Sequence, residues 1–219
     1  MSDGDRTVVH LVRHGEVHNP GGVLYGRLPD FHLSDLGIQM AEVAAEWSRD
    51  RDITHLRCSP LERAQETMAP IAELRPELSV VTDGRVIEAS NQFEGKVFNA
   101  SSKTLLDPRN WWLLRNPLRP SWGERYTDIV ARMRLAIADA AEAAKGHEAL
   151  IVSHQLPIWM ARCDAVGKSL VHDPRKRECR LASVTSFTLI DGRVTSVAYT
   201  EPAKDLLLEQ KTKKFVAGA

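Results

Sequence analysis

The chain has 219 residues, 43% of them hydrophobic and 26% charged, with 29 basic side chains balancing 29 acidic ones. That length supports one sizeable core, and the composition is that of an ordinary globular protein. The charge balance argues against the basic excess with which proteins neutralise a nucleic-acid backbone.

In chain order, residues 7–12 are short, apolar and β-branched and stop at Arg13-His14-Gly15. This predicts a buried first strand that delivers its last residues to a loop. Residues 19–31 hold Pro20, Gly21, Gly22, Gly26 and Pro29, a loop composition. Ser34 caps a predicted helix through Trp47, with Leu36, Met40, Val43, Ala44 and Trp47 at helical spacing. A second strand is expected over residues 54–58. After it, Ser59-Pro60-Leu61-Glu62 has the form of a capping box with proline at the first helical position. That helix is expected to run to about Leu74, with Pro70 as an interruption. Residues 79–82 form a further short strand candidate.

The pattern breaks down over residues 89–123, where Trp111, Trp112 and Trp122 mix with Pro108, Pro117 and Pro120. Lys96, Lys103, Arg109, Arg115 and Arg119 lie in the same segment. They suit either a solvated face or a lid that selects an anionic substrate. An Ala-rich helix is predicted over residues 124–145, ended by Gly146, then a strand over 149–152 that stops at Ser153-His154. A helix over 157–166 follows, and then a hairpin of residues 183–190 and 194–199 turning at Asp191-Gly192. Strands alternating with helices predict an α/β fold, a three-layer α/β/α sandwich with a mainly parallel central sheet. A single domain over residues 1–219 is expected, with 89–123 as an inserted lid or substrate-selecting segment.

The first residues lack the basic start and long apolar run of a secretory signal, and no stretch approaches the roughly 18 apolar residues of a membrane span. Cys58, Cys163 and Cys179 are too few and too scattered for a disulfide framework or a zinc knuckle. The cytoplasm is the expected location. Neither a membrane nor a nucleic acid is expected as a partner, and a homodimer is the one assembly kept open.

In parallel sheets ligands bind beyond the carboxyl ends of the strands. Of the four strand candidates before the hairpin, two end at a histidine, His14 and His154, and a third runs into the helix bearing Arg63. Phosphoryl transfer without a metal needs a nucleophile, positive charge around the equatorial oxygens and an acid for the leaving oxygen. Arg13-His14 supplies a nucleophile beside a cation. Arg63 sits in a first helical turn, where free N–H groups favour an anion. His154 adds a donor, and Glu88 after a short strand is a carboxylic acid placed to serve the leaving group. The nearby arginines disfavour the imidazolium form and keep His14 nucleophilic.

Leu11-Val12-Arg13-His14-Gly15-Glu16 resembles the signature of the histidine phosphatase superfamily, which includes cofactor-dependent phosphoglycerate mutases. Gly26-Arg27 with Leu33-Ser34-Asp35-Leu36-Gly37 resembles the next block, and Ser59-Pro60-Leu61-Glu62-Arg63-Ala64-Gln65-Glu66-Thr67 the second arginine motif. Glu88 with Phe93-Glu94-Gly95 resembles the acid block, and Val152-Ser153-His154 the second histidine motif. The resemblance implies a phosphohistidine on His14, phosphate contacts from Arg13, Arg63 and His154, and Glu88 as general acid and then base. It implies no metal and no organic cofactor. Val17 departs from the family's usual Ser or Thr, and Asn19 lies one residue nearer the histidine than the family's phosphate-binding asparagine. Gln155 stands where glycine is frequent. Asn19 and Gln155 are carried as phosphate contacts, and Arg27 and Glu94 as substrate-binding neighbours. The acid block is one residue short, which leaves Glu94 as the alternative to Glu88.

Other patterns are weaker. His14 and His18 have the spacing of a metal pair, and His14-Gly15-Glu16 opens like a zinc deaminase signature that lacks its Pro-Cys-x-x-Cys partner. The glycine-rich loop lacks the Lys-Ser/Thr ending of a nucleotide-binding P-loop. The leading expectation is a phosphomonoesterase acting on a small phosphorylated metabolite. A phosphoglycerate mutase-type transferase is the second, and a non-catalytic phospholigand-binding protein the third.

Overall fold

The structure, a computed structural model, describes residues 6–92, 94–96 and 123–208. Strand β1 (Arg6–Arg13) pairs parallel with β4 (Glu148–Ser153) and antiparallel with β5 (Val184–Ile190). Strand β2 (Ile53–Cys58) lies parallel to β4, and β3 (Val80–Thr82) parallel to β2. Strand β6 (Arg193–Thr200) is antiparallel to β5, so the order across the sheet is β3-β2-β4-β1-β5-β6.

Strands β1 and β4 are buried on both faces, and their alternate residues serve two different cores. Val9, Leu11, Ala149 and Ile151 pack against α3 (Tyr126–Ala143) and α4 (Gln155–Ala165). Val12, Leu150 and Val152 pack against α1 (Asp35–Ser48) and α2 (Glu62–Glu73). The result is the expected α/β/α arrangement with a mainly parallel sheet. Adjacent β1 and β4 therefore lead to helices on opposite faces, which opens a crevice beyond their carboxyl ends. His14 and His154 stand at that crevice.

Several local expectations change in detail. The capping box at Ser59 does not form: α2 starts at Glu62, Leu61 occupies the cap position, and no side chain caps it. Ser59 Oγ lies instead 2.7 Å from His154 Nε2, a tertiary contact that outcompetes the local one. Helix α2 runs through Pro70, which opens its last turn, so a single backbone bond is lost. Helix α4 starts two residues earlier than expected, because Pro157 occupies the first turn, where no N–H is needed. The hairpin turns where expected, with positive φ at Asp191 (49°) and Gly192 (73°), as a type I′ turn requires. Of the segment 89–123, residue 93 and residues 97–122 lie outside the described residues, and with them most of the expected lid.

The loop after β1 is pressed onto the start of α1. Ser34 caps that helix, accepting from Gly37 N–H at 3.0 Å and donating to Glu16 at 2.8 Å. A Cβ on Gly37 would meet the Glu16 carbonyl oxygen at 2.0 Å, and one on Gly15 would meet that of Gly37 at 2.5 Å. Helix propensity alone would make Gly37→Ala stabilising by about 1 kcal/mol. The backbone collision dominates, so the substitution should destabilise by roughly 1–3 kcal/mol in urea unfolding. A gain in stability would show that the loop has room to retreat.

Candidate active site

His14 is 2% exposed. Its backbone is fixed from two sides, with His14 N–H donating to the Ser153 carbonyl at 3.1 Å and the His14 carbonyl accepting from Ala182 N–H at 3.3 Å. Nδ1 donates to the Gly15 carbonyl at 2.8 Å, which assigns the hydrogen to Nδ1, since a carbonyl only accepts. Nε2 is left as a lone pair without a partner among the described residues. Gly15 N–H in turn donates to Thr67 Oγ1 at 3.1 Å, and that hydroxyl donates to the Arg63 carbonyl at 2.7 Å. Burial first, then the charges of Arg13 and Arg63, hold the His14 pKa well below the usual histidine value. The ring is a neutral base.

Around it are buried side-chain nitrogens that lack a hydrogen-bond partner among the described residues. Arg63 is fully buried; Nη2 donates to the Gly26 carbonyl at 2.6 Å, and the guanidinium carbon lies 4.8 Å from the Tyr25 ring centre. Its Nε and Nη1 have no partner among the described residues. Arg13 gives Nη1 to the Cys179 carbonyl at 2.7 Å, and its buried Nε is likewise unpaired. His154, its ring centre 5.1 Å from that of His14, meets Ser59 through Nε2 and leaves a buried Nδ1 unpaired. Burial, then His14, Arg63 and Arg13, depress its pKa. Four unpaired buried nitrogens on groups adjoining one neutral imidazole make an anion site.

Arg13, His14, Glu88 and Gln155 line a cavity of about 320 Å³. Glu88 accepts from Ala89 N–H at 2.8 Å. Burial raises its pKa, against the opposing pull of that hydrogen bond and of Arg13, Arg63 and Arg177. Glu94 is placed elsewhere: its carboxylate accepts from Asn91 N–H at 3.1 Å and packs where a Cβ on Gly26 would lie. Asn19 is turned into its own loop, holding the Val23 carbonyl at 2.8 Å and the Val23 N–H at 3.0 Å. Arg27 reaches the Glu88 carbonyl at 2.6 Å and Glu124 at 2.9 Å. It orders the backbone that carries the acid. The structure thus brings Arg13, His14, Arg63, Glu88, His154 and Gln155 together, and leaves Asn19 and Glu94 serving loops.

Sequence reasoning missed Tyr25, Ser59, Thr67 and Arg177. Ser59 and Thr67 lay within a quoted motif but were assigned to helix formation. Arg177 sits in a stretch with no periodicity and no neighbouring motif, so nothing in the chain marked it. Among the described residues, no group of three or more His, Cys, Asp and Glu side chains could hold a metal ion, and no helix is long and apolar enough to cross a membrane.

A model of the histidine phosphatase superfamily (branch 1) matches residues 9–202. The chain belongs to that superfamily. A Mycobacterium tuberculosis relative named "Uncharacterized protein Rv0525" is 53% identical over 199 residues, covering 91% of this chain and 98% of the relative. The "Probable phosphoglycerate mutase GpmB" of Yersinia pestis is 30% identical over 185 residues, covering 80% of this chain and 83% of its own. Among solved structures, a mycobacterial glucosyl-3-phosphoglycerate phosphatase, Rv2419c, superposes with a TM-score of 0.70 at 23% identity. That match covers 89% of this chain and 97% of the other, a likeness of fold. This member of the superfamily thus has proteins named as a phosphatase and as a probable mutase among those it resembles.

The depressed histidines link the site to stability. Neutral in the fold, His14 and His154 take up protons near 6.5 once unfolded, so below that pH the unfolded chain binds more protons. Their contribution is present above about 6.5 and is lost as pH falls. Glu88, with its raised folded pKa, has the opposite sign: its contribution is present below 4.5 and is lost as pH rises through the folded value. Two histidines outweigh one carboxyl, so stability should fall from about pH 7 to about pH 5, and His154→Gln should flatten that fall. Urea unfolding at several pH values measures both. Parallel profiles for the two proteins would mean that His154 is protonated in the fold.

Proposed function

We propose that this protein is a phosphomonoesterase that hydrolyses a small phosphorylated metabolite through a phosphohistidine on His14, with no metal in the reaction. The observation that carries the reading is the set of unpaired buried nitrogens of Arg13, Arg63 and His154 around a neutral imidazole whose Nε2 is free. A phosphoryl group supplies the acceptors these donors lack, and Arg13 and Arg63 supply the positive charge.

The steps follow from that placement. The His14 Nε2 lone pair attacks phosphorus, the ester P–O bond breaks, and its electrons pass to the leaving oxygen. Glu88, whose pKa burial raises, gives that oxygen its proton. The resulting carboxylate then takes a proton from water as the water oxygen attacks phosphorus. The N–P bond breaks back onto His14, and inorganic phosphate leaves. Gln155 at the cavity wall is a further phosphate contact in this proposal, and Arg27 acts by holding the Glu88 backbone. The cytoplasm is the proposed location.

Mutase-type transfer is the second reading, favoured by the name of the Yersinia relative. Incubation with 3-phosphoglycerate, with and without a bisphosphoglycerate primer, separates the two. Net release of phosphate supports hydrolysis, and isomerisation without release would replace it.

His14→Ala should abolish turnover of an aryl phosphate with a chelator present, and labelled substrate should leave an acid-labile, base-stable adduct on the wild type alone. Activity within about tenfold of wild type would remove His14 as nucleophile, since an absent nucleophile leaves only what binding and electrostatics supply. Glu88→Gln should slow alkyl phosphates about 10²–10⁴-fold more than aryl phosphates, whose leaving groups need little protonation. If Glu94→Gln shows that leaving-group dependence instead, the acid is Glu94.

A further inference from the structure

The proposed chemistry leaves one cation of the cavity unused. Arg177 follows the short helical turn Pro174–Lys176 and lines the cavity beside Tyr126, Gln155 and Pro174. Its half-buried guanidinium has two neutral partners: Nε donates to His172 Nε2 at 2.7 Å, and Nη1 donates to Gln155 Oε1 at 3.3 Å. His172 is held as an acceptor there, because its Nδ1 donates to the Leu170 carbonyl at 2.7 Å. Its ring is wedged between Tyr126 and Trp159, with centres 5.7 and 5.8 Å away.

Other charged groups of the same wall are neutralised. Glu124 is bound by Arg27 at 2.9 Å and Arg132 at 2.7 Å. Arg177 has no carboxylate within ion-pair distance among the described residues. Its position within the cavity is also distinct from that of the phosphoryl cradle. Arg13 and Arg63 bear on both His14 and Glu88, whereas Arg177 bears on Glu88 and is not among the charges acting on His14. It therefore stands on the side of the proton donor, where the alcohol portion of a substrate would lie. A guanidinium anchored through Nε and one Nη1 hydrogen keeps its Nη2 hydrogens for a planar or tetrahedral acid.

We propose that Arg177 forms a second anion subsite, which binds an acidic group on the alcohol portion of the phosphomonoester, either a carboxylate or a second phosphate. This rests on the phosphatase reading above and adds to it a substrate class. A charged donor left unmatched in such a site is costly, so a neutral analogue should be rejected about 10- to 100-fold.

The test compares kcat/KM for three probes: glycerol 3-phosphate, 3-phosphoglycerate, and propane-1,3-diol bisphosphate. The wild type should prefer one or both acid-bearing probes over glycerol 3-phosphate by about 10- to 100-fold, mainly through KM. Which acid-bearing probe is favoured tells carboxylate from phosphate. Arg177→Gln should collapse that ratio towards one, and Arg177→Lys should restore part of it. A ratio does not depend on how much of a variant folds. A wild-type ratio near one, or a ratio unmoved in Arg177→Gln, would overturn the subsite. If the wild type cleaves no phosphoester, including an aryl phosphate, the catalytic reading fails instead. The same comparison made as dissociation constants then still decides on Arg177.

Discussion

A guanidinium removed from water and given no ion-pair partner in contact is among the most expensive groups a fold can bury, and among the described residues Arg63 is such a group. It meets one carbonyl and one aromatic ring, and two of its nitrogens point at nothing. Elsewhere this chain gives a buried arginine a counter-charge: Arg57 Nη1 lies 2.6 Å from the Asp83 carboxylate, although its Nε is unpaired too. The difference is one of charge: Arg63 has no carboxylate within ion-pair distance among the described residues. Arg13 Nε and His154 Nδ1 share its deficit of hydrogen-bond partners. The phosphoryl anion proposed above would supply the acceptors that these nitrogens lack, and its binding would then stabilise the fold.

The scaffold makes that deficit tolerable by holding every member from behind. Gly15, Thr67 and Arg63 form a chain of hydrogen bonds that ties the His14 loop to the first turns of α2. Ser59 sits between β2 and α2 and spans to His154 at the end of β4, while its backbone N–H bonds the Val152 carbonyl. Around Glu88, Arg27 and Arg132 converge on Glu124, and Arg132 also donates to the Arg85 carbonyl. Rigid partners of this kind keep donors aimed at where charge develops, which is where electrostatic catalysis acts.

Much of this was legible in the chain. Strand periodicity placed β1 and β4, and both end at histidines; Asp191-Gly192 placed the hairpin; Ser34 placed α1. Those signals are local, and local chemistry decides them. What escaped was set by tertiary competition. Ser59 carries a helix-capping sequence, yet its hydroxyl is used by a histidine 95 residues away. Asn19 has the right chemistry for phosphate, but its side chain closes its own loop onto Val23. Arg177 lies between elements, where neither period nor turn chemistry marks a residue as facing a cavity. The order β3-β2-β4-β1 is likewise a property of packing, since any of the parallel strands could neighbour β1 by pattern alone.

The central claim is that buried, unpaired cationic donors await a phosphoryl anion, and Arg63→Met tests it most directly. Thermal unfolding is measured for wild type and variant in inorganic phosphate and in chloride at equal ionic strength. Phosphate should raise the wild-type Tm in proportion to occupancy, as linkage requires. The methionine variant should melt at or above the wild type in chloride, because an apolar side chain replaces an unpaired charge, and should gain nothing from phosphate. A variant that melts well below the wild type in chloride and is still stabilised by phosphate would contradict the account.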